Sequence, residues 1–145
     1  MSDFRKLSEK VLASPQIAAA DIEAARGEGV TLIINNRPEG EAPDQPSGTE
    51  IEAAARAAGI DYRAIPVSPG GFDEGQVQAM AEALANADGK VLAYCRSGTR
   101  STLLWALAQA AEGRDPEAIA DAAADAGYDV SPIRPALNML ATRAR

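Results

Sequence analysis

Val91-Leu92-Ala93-Tyr94-Cys95-Arg96-Ser97-Gly98-Thr99-Arg100-Ser101 runs from a short apolar segment, through a polar loop, into a second apolar stretch that reaches Ala111. The first four residues have the pattern of a strand buried on both faces. The stretch after the loop is apolar nearly all round, with Leu103, Leu104, Trp105 and Leu107, and predicts a centrally buried helix. In α/β sheets the active loops lie at the carboxyl ends of strands. A loop placed there, immediately before a helix, can turn several backbone N–H groups onto one point and bind an anion. Gly98 allows the tight turn this needs.

Outward from this segment the pattern repeats. Val30-Thr31-Leu32-Ile33-Ile34 is a continuous apolar run, and Tyr62 to Val67 reads as a further strand. Ile51, Ala54, Ala55 and Ala58 fall at helical spacing, as do Val77, Met80, Ala81 and Leu84. A helix of about ten residues is expected up to Gly27, with Gly29 as its stop. Asp115-Pro116 and Ser131-Pro132 each place a capping residue before a proline and predict two further helix starts. Phe4 to Leu7 and Lys10 to Ala13 suggest a small N-terminal hairpin. Strands alternating with helices give the expected fold class, α/β with a central, mainly parallel sheet flanked by helices. No repeat or linker divides the chain, so residues 1–145 are expected to form one domain.

Composition narrows the function. Apolar residues make up 46% of the chain and aromatics 4%, much of the former being alanine, which suits helices packed closely on a sheet. No stretch reaches the roughly 20 apolar residues of a membrane span, and Met1 to Lys6 lacks a secretory h-region. With a single cysteine, the expectation is a soluble cytoplasmic protein. The formal net charge of −7 argues against a nucleic-acid surface but not against a small anionic substrate held by local arginines. The chain contains no histidine. Ser-His-Asp and Cys-His catalysis are therefore excluded, along with His-built metal sites. No metal or organic cofactor is called for.

Cys95 carries the chemistry. Helix N-termini and nearby cations bring a cysteine thiol from about 8.5 to roughly 3.5–7.5, so a reactive thiolate at neutral pH is expected. Without histidine, its activation falls to backbone amides, the helix terminus and Arg100, whose guanidinium can grip an oxyanion through two parallel hydrogen bonds. Arg96, Ser97, Gly98, Thr99 and Ser101 complete the cradle. The Ser101 hydroxyl could donate to the Cys95 sulfur or cap the helix. Asn36 and Arg37 follow an interior strand and are expected to face the same crevice. Arg37 reads equally as a substrate ligand or as a partner of Glu39 or Glu41. The acidic run from Glu39 to Asp44 reads as a solvated loop.

Tyr94 to Ser101 resembles the active loop of single-domain rhodaneses, in which the cysteine receives a sulfane sulfur. It is also similar to the Cys-x-x-Gly-x-x-Arg loop of protein tyrosine and dual-specificity phosphatases. Against that pattern Arg100 arrives one residue early, Ser101 stands in its place, and Tyr94 replaces the usual histidine. A shorter loop makes a tighter cradle, which suits sulfur better than a tetrahedral phosphoryl group. The segments Ser14-Pro15-Gln16, Ile33 to Glu41, Ile65 to Gly71 and the Cys95 loop, in that order, resemble the phosphatase-like domain of the beta-lactamase-hydrolase-like proteins. This second resemblance runs from about Phe4 to Leu140. It implies a dual-specificity-phosphatase-like fold, and the fusion of some relatives to a persulfide-dioxygenase-type domain implies a link to sulfide metabolism.

The same resemblance makes Asp73 the candidate general acid, from the loop Ser68 to Asp73. By its position alone Asp73 caps the helix carrying Val77 and Met80, and the cap is the favoured reading. The leading expectation is a sulfurtransferase working through a Cys95 persulfide. The alternatives are a phosphomonoesterase with a Cys95 phosphoryl intermediate and a non-catalytic anion- or phosphopeptide-binding module.

Overall fold

The computed structural model describes residues 2–68 and 70–144. Met1, and Pro69 of the loop read at 66–71, lie outside these residues. A five-stranded sheet has the order β1-β2-β5-β3-β4. Its strands are β1 (Arg5–Lys6), β2 (Val11–Ser14), β3 (Val30–Asn35), β4 (Asp61–Ala64) and β5 (Lys90–Tyr94). Only β1 is antiparallel to its neighbour, closing the predicted N-terminal hairpin with β2. The other pairs, β2 with β5, β5 with β3 and β3 with β4, are parallel.

The helices are α1 (Ile22–Gly27), α2 (Gly48–Ala57), α3 (Glu74–Asn86), α4 (Thr99–Ala111), α5 (Pro116–Asp125) and α6 (Arg134–Arg143). Strand periodicity divides the core between the two faces of the sheet. Val91 and Ala93 of β5, with Val11, Ala13 and Ile34, join the cluster containing Met80, Leu104, Trp105, Ile119 and Leu137. Leu92 and Tyr94 point the other way, towards Ile22, Ala25, Ile51 and Ala55 of α1 and α2. A register shift between Val30 and Leu32 returns β3 to this alternation. Helix α4 is the central one, with Leu104, Ala106, Ala108 and Ala110 fully buried, as its apolar circumference requires.

Three boundaries differ from the sequence reading. The helix expected before Gly27 is a 3-10 turn at Ala19–Asp21 followed by the six residues of α1, with Gly29 in a left-handed conformation just beyond. Strand β4 stops at Ala64, because Pro66 has no N–H to continue the ladder. The chain nevertheless stays extended alongside β3: Ile65 N donates to Asn35 O and Val67 N to Asn36 O, both at 2.9 Å. Ser131 does not cap a helix. It donates to Asp129 through its N–H and its hydroxyl, opens a 3-10 turn, and α6 begins only at Arg134. Asp115 caps α5 as expected, accepting from Glu117 N.

Parallel strands end on the same side, so the segments after Ser14, Asn35, Ala64 and Tyr94 gather at one edge. That edge carries Gln16, Arg37, Val67 and Cys95.

Candidate active site

Cys95 follows β5 directly and is fully buried. Its backbone N–H donates to Ser14 O at 3.3 Å, which ties the start of the loop to β2. Gly98 is left-handed, with φ 92°, and precedes the first turn of α4. From there its N–H reaches back to Cys95 Sγ at 3.1 Å. The loop folds on itself around this contact: Ser97 Oγ donates to Thr99 Oγ1 at 3.0 Å and accepts from Thr99 N. Gly98 O accepts from Thr102 N and from Thr102 Oγ1.

Arg100 lies at the end of the loop, and Glu41 holds it. Its Nη1 donates to Glu41 Oε2 at 2.7 Å and its Nη2 to Glu41 Oε1 at 2.8 Å, a two-pronged pairing. Arg100 Nη1 also donates to Val67 O at 2.7 Å, so the chain beyond β4 fixes its position. Arg37, only 5% exposed, reaches the same carboxylate through Nε at 2.9 Å and Gln16 Oε1 through Nη1 at 3.0 Å. One carboxylate thus satisfies two guanidinium groups. Hydrogen bonding from Arg100 outweighs burial, and with a smaller contribution from Arg37 it holds the Glu41 carboxyl down to about 2. Glu41 raises the Arg100 guanidinium in turn, and Cys95 beside it adds to that rise. Both arginines are held by an anion that the protein supplies itself, the Glu41 carboxylate.

The predicted site residues divide accordingly. Cys95, Gly98 and Arg100 come together, and Arg37 joins them through Glu41. Ser97 and Thr99 shape the loop from its exposed side, and Arg96 is exposed. Asn36 is fully buried beside the end of β5, its N–H donating to Tyr94 O; its Nδ2 donates to Ile65 O at 2.9 Å, tying β3 to the segment after β4, and its Oδ1 has no partner among the described residues. Ser101 departs from expectation. Its buried hydroxyl makes no hydrogen bond among the described residues, neither to Cys95 Sγ nor as a helix cap.

Asp73 caps α3 in a reciprocal capping box, accepting from Gln76 N at 2.8 Å while Gln76 Oε1 accepts from Asp73 N. It borders a groove with Val77, Leu107, Ile133 and Met139, and no residue of the Cys95 loop lines that groove. The acidic run is not simply solvated. Glu39 accepts from Gly48 N at the start of α2, and Glu41 closes the arginine pair. Gln16 and Val67 were missed as site residues. Their signals were their place just beyond the carboxyl end of a strand and their presence in the segments that carry the family resemblance.

Similarity to known proteins bears on the family and the fold. The sequence model for the phosphatase-like domain of beta-lactamase hydrolase-like protein matches residues 3–112. A beta-lactamase hydrolase-like protein of Agrobacterium fabrum is 39% identical over 109 residues, covering 75% of this chain and 25% of that protein. A namesake from Xylella fastidiosa is 44% identical over 86 residues, covering 59% and 20%. The chain therefore spans about a quarter of the length of these curated relatives or less. A crystal structure of a candidate phosphatase from Neisseria meningitidis covers all of both chains, with a TM-score of 0.85 and 34% identity. PTPMT1, solved in complex with PI(5)P, shares the fold at a TM-score of 0.73 and 15% identity over 98% of this chain. The fold is that of the tyrosine- and dual-specificity-phosphatase-like proteins, and the chain belongs to the phosphatase-like domain family of the beta-lactamase hydrolase-like proteins.

Proposed function

We propose that the protein hydrolyses phosphate monoesters through a covalent Cys95 intermediate. The observation that carries this reading is the pairing of Cys95, under the Gly98 N–H, with an arginine pair that already grips an oxyanion, the Glu41 carboxylate. A phosphoryl group entering the crevice exchanges with Glu41 and takes over the N–H groups of Arg100. Family membership supports the same reading and reverses the order of expectation, in which sulfur transfer came first.

In the first step the Cys95 thiolate attacks phosphorus, the S–P bond forms, and the P–O bond to the leaving group breaks. The departing oxygen takes its proton from water, because Asp73 is engaged in its helix cap. In the second step water attacks phosphorus and the P–S bond breaks. Inorganic phosphate leaves and the thiolate returns. Arg100 and the loop amides meet the charge on the equatorial oxygens. Without a positioned acid, the rate depends steeply on the leaving group, and aryl phosphates are better substrates than alkyl phosphates.

One feature favours sulfur transfer as the second reading. Only four residues separate Cys95 from Arg100, a short loop for a tetrahedral group. Parallel assays of an aryl phosphate and of thiosulfate, on wild type and Cys95→Ser, decide between them. Phosphate release that disappears in Cys95→Ser supports the proposal. Thiocyanate formation from thiosulfate and cyanide, with no phosphate release, replaces it with the second reading.

A further inference from the structure

The peptide unit joining Ser97 to Gly98 carries a contact at each end. Its N–H, from Gly98, donates to Cys95 Sγ at 3.1 Å. Its carbonyl, from Ser97, accepts from the Tyr128 hydroxyl at 3.2 Å. A peptide unit is planar and trans, so fixing the direction of its carbonyl also fixes the direction of its N–H. The restraint matters here because Gly98 is left-handed and has no side chain to hold the unit in place.

Tyr128 is well placed to supply it. The residue is 8% exposed, and its ring fills the space beside Gly98. A Cβ at position 98 would collide with the Tyr128 hydroxyl and lie 2.9 Å from Cζ. The Arg5 guanidinium stands over the ring, 5.1 Å from its centroid, and Arg5 Nη1 donates to Ala126 O at 3.3 Å. The chain beyond α5 is thereby anchored to β1. Burial pushes the Tyr128 phenol up, so its hydroxyl remains a donor near neutral pH. Tyr128 also lies beyond the matched residues 3–112, outside the segment that identifies the family.

We infer that Tyr128 is the positioning residue of the Cys95 loop, its hydroxyl holding the Ser97–Gly98 peptide so that the Gly98 N–H is aimed at the sulfur. The inference rests on the reading of Cys95 as the nucleophile. A hydrogen bond accepted by a peptide carbonyl also polarises that unit's N–H, so Tyr128 strengthens the donor as well as aiming it.

The test is an ultraviolet titration of the thiolate in wild type and Tyr128→Phe, with Cys95→Ser subtracted as the blank. Thermal melts and steady-state turnover of an aryl phosphate accompany it. Phenylalanine keeps the ring and its packing and removes only the donor. The midpoint of thiolate formation should move to higher pH by about half a unit to one unit. At a pH below that midpoint kcat should fall about three- to tenfold, with KM little changed. An unchanged midpoint overturns the inference, whatever the melt shows, because a merely structural tyrosine would lower stability alone. The titration needs no substrate. A shifted midpoint in a protein without phosphatase turnover therefore keeps the inference and removes the hydrolase reading.

Discussion

Glu41 keeps its charge at any pH used for an ordinary assay, because Arg100, and Arg37 to a lesser degree, hold its carboxyl down to about 2. A carboxyl lowered on folding contributes stability that is complete above its ordinary value of 4.5 and is lost as pH falls towards 2. Replacing Glu41 with Gln should cost about 1–3 kcal/mol in urea unfolding at neutral pH, since two buried or half-buried guanidinium groups lose their acceptor. The gap between wild type and variant should close progressively between those two pH values. A gap that stays constant over that window would show that Glu41 is not held as described. Under the proposed function the same substitution removes the anion that an incoming phosphoryl group must displace. Inorganic phosphate should therefore inhibit Glu41→Gln at lower concentrations than it inhibits wild type.

At the scale of elements, α3 and α4 bear on the site in different ways. Asp73 ends the loop after β4 and starts α3, and asparagine caps a helix about as well as aspartate. Asp73→Asn should melt within about 0.5 kcal/mol of wild type and should retain its turnover of aryl phosphates. A loss of activity confined to basic leaving groups would return Asp73 to the role of acid. The strand–loop–helix unit of β5 and α4 was legible because two features coincide, an uninterrupted apolar run and a helix apolar on every side. The start of α6 was not. Asp129 and Ser131 are both capping residues by type, and only the folded turn shows Asp129 accepting from Ser131. Ser101 was misjudged for a related reason. Its neighbour in sequence is known, but the direction of its hydroxyl is set by how α4 seats in the core.

For the whole molecule, the net charge of −7 makes a local anion site a departure from the background. The sheet order explains how it arises. Placing β5 between β2 and β3 brings the Cys95 loop beside Gln16 and Arg37, and the chain beyond β4 delivers Val67 O to Arg100. The alternation of strands and helices was readable in the sequence. The Glu41–Arg100 pair was not, because its partners lie 59 positions apart and no periodicity links them. Arg37 with Glu41 was open as one of two pairings, being close in sequence, and the fold selected it. An anion site of this kind predicts linkage: phosphate at about a hundredfold its dissociation constant should stabilise the protein by about 2.7 kcal/mol. Arg100→Ala should abolish that stabilisation. If it persists undiminished in that variant, phosphate binds elsewhere.

The claim on which the rest depends is that Cys95 becomes phosphorylated during turnover. The chain has one cysteine, so acid quenching during turnover of an aryl phosphate, followed by mass spectrometry of the peptide containing Cys95, reads it directly. A phosphoryl adduct is expected on that peptide in wild type, more abundant at early times and absent from Cys95→Ser. An unmodified peptide during active phosphate release, or a persulfide formed from thiosulfate with no phosphoryl adduct under any condition, would contradict it.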